Sequence, residues 1–410
     1  MRWMLKVVLT LFFAACIFDP ADRVLGLKVY LFIVCWGVTV ASCAVARDPC
    51  YLDEGLLRYT LLFLLIPVLS IGWYWLIDGG EPFEGLQLLK GYVLVTLGAL
   101  LFTQRLDGLP YLAALLTVLA LLIITIFVTL LIEPGLAVPL GVFGNATQIL
   151  YLDSRNYGSG LVLSQVYFAT SPMLAIAIAY YYHLARTSAA GRRRLAYYAA
   201  AAASIVAMPL AGTRNNIAVA VFLPLALAFL YAKNKVATGI ACAAFTMCLI
   251  FVFVDDIAVL LSPLEFSNNL KLSLLEDYAD LLSDPLNLLF GRGLGSYDYW
   301  TARGYEYFVT ELTYIELVRN FGLLGALVVM GLLLFPMVYG LVLRPTFPNR
   351  YLVVAYGFYL VTSASNPTLF SSMGILILAI VLANVFLFES RLRARGTEPS
   401  AGAPQALVRA

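Results

Sequence analysis

Charged side chains are scarce in this chain, at 12% of 410 residues, about half of the ~25% usual for a soluble domain. Histidine occurs once, as His183, which excludes a multi-histidine metal centre. The six cysteines, Cys16, Cys35, Cys43, Cys50, Cys242 and Cys248, lie mostly inside apolar runs and form no C-x-x-C pair. Neither a disulfide framework nor a zinc knot is therefore expected. A net charge of +2, spread over short loops, is too small and too dispersed for nucleic acid. There is no internal repeat. What remains is apolar: 62% hydrophobic residues and a mean hydropathy of +0.89, the composition of a polytopic membrane protein.

Apolar runs near the length that crosses a bilayer predict an all-α bundle of about twelve spans. They fall at 4–18, 27–46, 57–77, 86–104, 110–132, 166–185, 195–212, 217–232, 236–254, 323–343, 351–365 and 369–389. The first is short enough to resemble a signal-peptide core, but Ile17-Phe18-Asp19-Pro20 is no cleavage site, so it counts as a helix. Arg47, Arg105, Arg192-Arg193-Arg194, Lys233, Lys235, Arg344 and Arg391 all fall on one side of this arrangement. By the positive-inside rule that side, with both termini, is cytoplasmic. The loops 133–165 and 255–321 then face outward, into the periplasm of a Gram-negative cell. The chain divides into spans one to nine (1–254), a large, partly helical outer loop (255–321), spans ten to twelve (322–389) and a disordered cytoplasmic tail (390–410). The two halves show no matching interruptions, which weighs against a pseudosymmetric transporter.

The stretch 255–321 is the longest polar interruption. It carries twelve charged residues from Lys271 to Arg319, the turn Gly291-Arg292-Gly293-Leu294-Gly295, and six tyrosines from Tyr278 to Tyr314. A loop of this length is either functional or disordered. Its tyrosines, leucines and Trp300 argue for a folded cap that carries chemistry. The glycine turn follows no strand, so it implies no nucleotide fingerprint; it offers either backbone N–H groups to a phosphate or simply a turn. Tyr297, Tyr299, Trp300, Tyr305 and Tyr307 suit either sugar stacking or an interfacial aromatic belt. The pair Asp255-Asp256 reads as solvated and His183 as an interface residue. Lys90, a turn inside the fourth span, either snorkels or faces the bundle as a phosphate contact.

Arg214, in Gly212-Thr213-Arg214-Asn215-Asn216, opens an apolar helix on the outer side, against the positive-inside trend. Backbone N–H groups, helix dipole and guanidinium fork there all favour an anionic headgroup. The alternative is a snorkelling arginine.

This pentapeptide and the helix after it resemble the O-antigen ligase and polymerase superfamily. Pro285 to Tyr297 and the segment Glu311-Leu312-Thr313-Tyr314-Ile315-Glu316-Leu317-Val318-Arg319-Asn320-Phe321-Gly322 continue the resemblance in the same order, over roughly residues 200–345. The resemblance implies a metal-independent, cofactor-free, inverting glycosyltransferase acting on undecaprenyl-diphosphate-linked glycans at the inner membrane. It is most like a Wzy-type repeat-unit polymerase, whose further partners are membrane lipid and a chain-length-regulating co-polymerase. Lys271 stands where many relatives have arginine. Glu311 stands where the ligases place a histidine, a departure that favours the polymerase. The implied catalytic residues are Glu311, Arg214 and Arg292, the cations neutralising the departing diphosphate and the carboxylate assisting the acceptor hydroxyl. Lys271, Arg155, Arg303, Tyr314, Arg319 and Lys90 complete the substrate-contacting set. Glu311 has an alternative reading as the ion-pair partner of Arg303 or Arg319. The rival functions are a ligase transferring glycan to lipid A-core and, from another class, a transporter or flippase of lipid-linked sugars.

Overall fold

The computed structural model describes residues 2–46, 52–156, 162–263 and 265–396. The chain opens with α1 (Arg2–Phe18), α2 (Lys28–Ala46), α3 (Glu54–Asp78), α4 (Phe83–Val93), α5 (Thr96–Thr103), α6 (Leu109–Ile132) and α7 (Ala137–Thr147). A hairpin of β1 (Leu150–Asn156) and β2 (Val162–Phe168) leads into α8 (Leu174–Thr187), α9 (Arg192–Leu210), α10 (Arg214–Tyr231) and α11 (Lys235–Val252). Next come α12 (Val254–Leu261), α13 (Phe266–Leu281), α14 (Pro285–Phe290) and the short hairpin β3 (Asp298–Trp300)–β4 (Tyr305–Tyr307). The chain closes with α15 (Thr313–Met337), α16 (Arg350–Ser363) and α17 (Ser372–Gly396).

The fold is helical, and eight segments among the described residues are long and apolar enough to cross a membrane, as in a multi-pass membrane protein. Four of the twelve expected spans fall short, for reasons local to each. The helix α1 has 17 residues. The helix α9 opens on three arginines and runs into alanines. The run 166–185 is not one helix, because Val166 to Phe168 belong to β2 and Pro172 starts a separate 3-10 turn. That leaves 14 residues for α8, roughly 21 Å at 1.5 Å per residue, short of the ~30 Å hydrocarbon core. The helix α16 likewise has 14 residues and stops before the polar Ser363-Ala364-Ser365-Asn366-Pro367. These short helices are interior elements: Leu174 through Ala179 are all buried, so α8 is apolar all round because it is covered all round. The helix α17 is the most enclosed of the eight spanning segments, and α11 has no buried residue.

The stretch between α11 and α15 is folded, as its aromatics predict. Trp300 packs on Tyr278 at 4.8 Å between ring centres, with Leu274 beneath, and its indole N–H donates to the Tyr307 carbonyl at 2.9 Å. This small core is separate from that of the bundle. The two are joined where α15 kinks. Gly322 takes φ +65° and ψ 175°, a backbone region open essentially to glycine alone, and the carbonyls of Arg319 and Asn320 leave the helical ladder. The Arg292 N–H donates to the first at 2.7 Å and the Ser70 hydroxyl to the second at 2.5 Å, so the break leaves both satisfied.

A Cβ at position 322 would overlap the Leu289 carbonyl, whereas one at Gly331 would meet nothing. The Gly322→Ala change should cost at least ~1–3 kcal/mol from backbone strain alone. A thermal scan of purified protein should show a clearly lowered midpoint for Gly322→Ala and an unchanged one for Gly331→Ala.

Candidate functional site

Arg214 sits where α9 turns into α10. Gly212 has φ +75° and its Cα lies against the Gln165 side chain, leaving no room for a Cβ. Thr213 caps the new helix by accepting the Asn216 N–H at 3.1 Å, the role its hydroxyl suits. The Arg214 guanidinium donates to Asn268 Oδ1 at 2.6 Å and forms an ion pair with Glu265. Glu265 is itself the N-cap of α13, accepting the Asn268 N–H at 3.0 Å. Lys271 follows Asn268 by three positions, on the same face of α13, so Arg214 and Lys271 are gathered along one helix.

Glu311 lies at the other end of the cap and pairs with Arg303 at 3.1 Å, the ion-pair partner its sequence context offered. Arg303 also donates to the Tyr305 hydroxyl at 3.2 Å. Burial works to lower the Arg303 guanidinium, and the hydrogen bond to Tyr305 with the charge of Glu311 holds it above its usual value. On the far side stands Tyr167 of β2, whose hydroxyl is pushed up to about 12 by burial and then by Tyr359, Tyr151 and Glu311.

Residues close in sequence to each of the two charged groups reach the turn after α16. Asn215, next to Arg214, donates to the Thr362 carbonyl at 3.2 Å and to Ser365 Oγ at 2.7 Å. Thr313, two residues after Glu311, donates to the Asn366 carbonyl at 2.9 Å, and Asn366 returns to Thr362 at 3.1 Å. Tyr314 is occupied in the same joint, its hydroxyl on the Leu360 carbonyl at 2.6 Å. Arg214 and Glu311 are thus tied through Asn215 and Thr313 to one five-residue turn. Neither lines the cavity bordered by Thr310, Thr313 and Glu316.

A second cluster, with members that sequence reasoning missed, lies beneath the cap. Arg319 has no exposed surface. Its guanidinium donates to Asp298 at 2.6 Å, to Glu316 at 2.5 Å, to the Ser296 carbonyl at 3.0 Å and to the Phe308 carbonyl at 2.7 Å, and it lies over the Trp300 ring. Glu316 in turn accepts from Tyr278 at 2.5 Å, Thr310 at 3.2 Å and Asn320 at 3.2 Å. Burial, then the charge of Glu316, pushes the Tyr278 hydroxyl well above its usual range. The signal was present as Glu316-Leu317-Val318-Arg319, an i,i+3 pair of opposite charges at the head of an apolar helix.

Arg292 belongs with this cluster, its Nε 3.4 Å from Asp298, and not with Arg214. The glycine turn around it is a packing device. Gly293 presses on α3 at Ser70 and Tyr74, Gly295 on α4 at Gly85, and the Leu294 N–H donates to Ser70 Oγ at 2.8 Å. Of the aromatic residues, Trp300 is buried while Tyr297, Tyr299, Tyr305 and Tyr307 are exposed. Lys90 is exposed on α4 and donates to Gln87. The backbone of Arg155 pairs with Leu163 in the first hairpin; its side chain and that of Asp256 lie outside the described residues.

Arg319→Met strands Glu316 and Asp298 in the interior, at a cost of ~3–5 kcal/mol for a broken buried pair. Arg303→Met breaks a part-exposed pair worth within about 1 kcal/mol. Size-exclusion profiles of the detergent-solubilised variants should show monodisperse protein for the second and its loss for the first. No family model matches the chain, and no curated protein matches it.

Proposed function

We propose that this protein is a multi-pass inner-membrane polymerase of lipid-linked oligosaccharide repeats, with both termini in the cytoplasm and the cap in the periplasm. The observation that supports this reading is the convergence of Asn215, next to Arg214, and Thr313, two residues after Glu311, on the turn 362–366. A cation and a carboxylate contributed by distant parts of the sequence are thereby tied to one turn.

In the reaction an acceptor sugar hydroxyl attacks the anomeric carbon of a diphosphate-linked donor from the face opposite the leaving group. The new carbon–oxygen bond forms as the bond to the phosphate oxygen breaks, which inverts the anomeric centre. The acceptor's proton passes to Glu311, and the diphosphate lipid departs with the bond's electron pair. Arg214 at a helix N-terminus, with Lys271 beside it, receives that charge. Glu265 holds the guanidinium in place until the diphosphate exchanges with it, and Arg303 orients the Glu311 carboxylate. Arg292 and Arg319 act at a distance, by holding the cap against α15. No step needs a metal ion, because the cations of the chain take that part.

A transporter of lipid-linked sugars is the second reading, favoured by the break between α4 and α5 and by the kink in α15, since broken helices at a binding site are a transporter feature. Elongation of a lipid-linked repeat by purified protein in detergent, where no gradient exists, separates the two.

In cells lacking the native protein, Arg214→Ala should abolish glycan ladders. Glu311→Gln should cut elongation by about 10²-fold or more, the usual share of a general base. Both variants should insert normally by protease mapping. Wild-type ladders from both would defeat the site assignment.

A further inference from the structure

Beside Glu316 lies a cavity of about 140 Å³, the space of some four or five waters at ~30 Å³ each. It is bounded by the start of α15, by α4, and by the segment before α17. We infer that this cavity is a binding subsite for one neutral, hydroxyl-rich ring, a pyranose unit without an acidic group, and that it sets which sugars the protein accepts. It deepens the polymerase reading by naming a place and a selectivity for one sugar of the substrate.

The polar wall determines the class of ligand, because its Thr and Ser hydroxyls have given up their hydrogens and a carboxylate stands among them. The Thr313 hydroxyl gives its hydrogen to the Asn366 carbonyl at 2.9 Å, Ser371 to the Thr368 carbonyl at 2.6 Å and Thr310 to Glu316 at 3.2 Å. The Asn320 amide N–H₂ donates to Glu316 at 3.2 Å, and its Oδ1 is buried with no hydrogen-bond partner. Asn320 is 5% exposed and lines the cavity, so an unmatched acceptor is packed into the wall itself. Leaving such a group unmatched costs about 1–3 kcal/mol. What the cavity offers a ligand is hydroxyl lone pairs, the Tyr92 hydroxyl and the side of the Glu316 carboxylate. Such a wall matches hydrogen-bond donors and repels anions.

The opposite wall is apolar and flat. Tyr92 and Phe370 stack at 5.0 Å with 15° between their planes, and Leu88 and Leu294 extend the surface. A pyranose has both required faces, C–H groups for the rings and hydroxyls for the acceptors. Bulk water would satisfy the acceptors but gain nothing from the rings. A uronic acid would set its carboxylate against Glu316.

Saturation-transfer NMR of the detergent-solubilised full chain tests this with neutral methyl glycosides (gluco, galacto, manno, rhamno and N-acetylglucosamine) and with methyl glucuronoside. At least one neutral glycoside should saturate, and the glucuronoside at least tenfold less. Leu88→Trp fills the space from α4 and should abolish the signal. Thr313→Val keeps the shape, removes one acceptor and should weaken binding about fivefold, the worth of one hydrogen bond; it gives the same reading if Leu88→Trp does not fold. Saturation by no neutral glycoside, equal saturation by the glucuronoside, or unchanged signal in a folded variant overturns the inference. The readout is binding and not turnover. Glycoside binding without elongation would sink the polymerase and keep the subsite, and elongation with an empty cavity would do the reverse.

Discussion

A guanidinium with no exposed surface, that of Arg319, constrains the whole end of the molecule that bears the cap. A buried charge is tolerable only when it is paired and its hydrogens are all received. Arg319 achieves this with acceptors from three places: Glu316 on its own helix, Asp298 in the β3–β4 hairpin, and the carbonyls of Ser296 and Phe308 on either side of that hairpin. Moving the hairpin away would orphan several donors at once. The cap is therefore fixed to α15 by a polar joint, while its own core of Leu274, Tyr278 and Trp300 is too small to hold it there alone.

Glycine is what lets that joint close. With Gly322 breaking the helix, the carbonyls of Arg319 and Asn320 point outward to accept from Arg292 and Ser70. The turn at Gly291, Gly293 and Gly295 then approaches α15, α3 and α4 within distances that leave no space for side chains. Three positive φ values in five residues are costly for anything but glycine. Three of the turn's N–H groups are consumed inside the protein, Gly291 N on Asn287 O, Arg292 N on Arg319 O and Leu294 N on Ser70, so of the two readings open to the sequence the packing favours the turn.

Much of this was legible in the order of residues. The mean hydropathy announced the membrane bundle, and Trp300 with the tyrosines announced a folded cap. Arg214 was found because a lone arginine heading an apolar helix is visible without coordinates. The four spans that fall short were not legible, because a hydropathy window counts apolar residues and cannot tell a strand feeding a buried half-helix from one long helix; Val166 to Ala185 reads alike in both cases. Nor was the role of Arg319, expected as a substrate contact or as the partner of Glu311. Its burial depends on Asp298 and Phe308, which only the tertiary fold brings near. The cavity beside Asn320 was invisible for the same reason, being assembled from α4, α15 and the segment before α17.

The cap consequently holds two kinds of arginine, and the difference between them decides where chemistry can occur. Arg319 is saturated by protein acceptors and sealed from solvent, so an incoming anion would have to displace partners that cannot be rehydrated. Arg214 and Glu265 are each about a fifth exposed, and Arg303 and Glu311 a fifth and a third. Ion pairs at that exposure are worth little net free energy, because water can take over either charge. An anion can replace Glu265 on Arg214 at small cost, and a polar group can approach Glu311 without unfolding its surroundings. The sealed arginine supplies rigidity, and that rigidity allows the weaker pairs to stay poised for exchange.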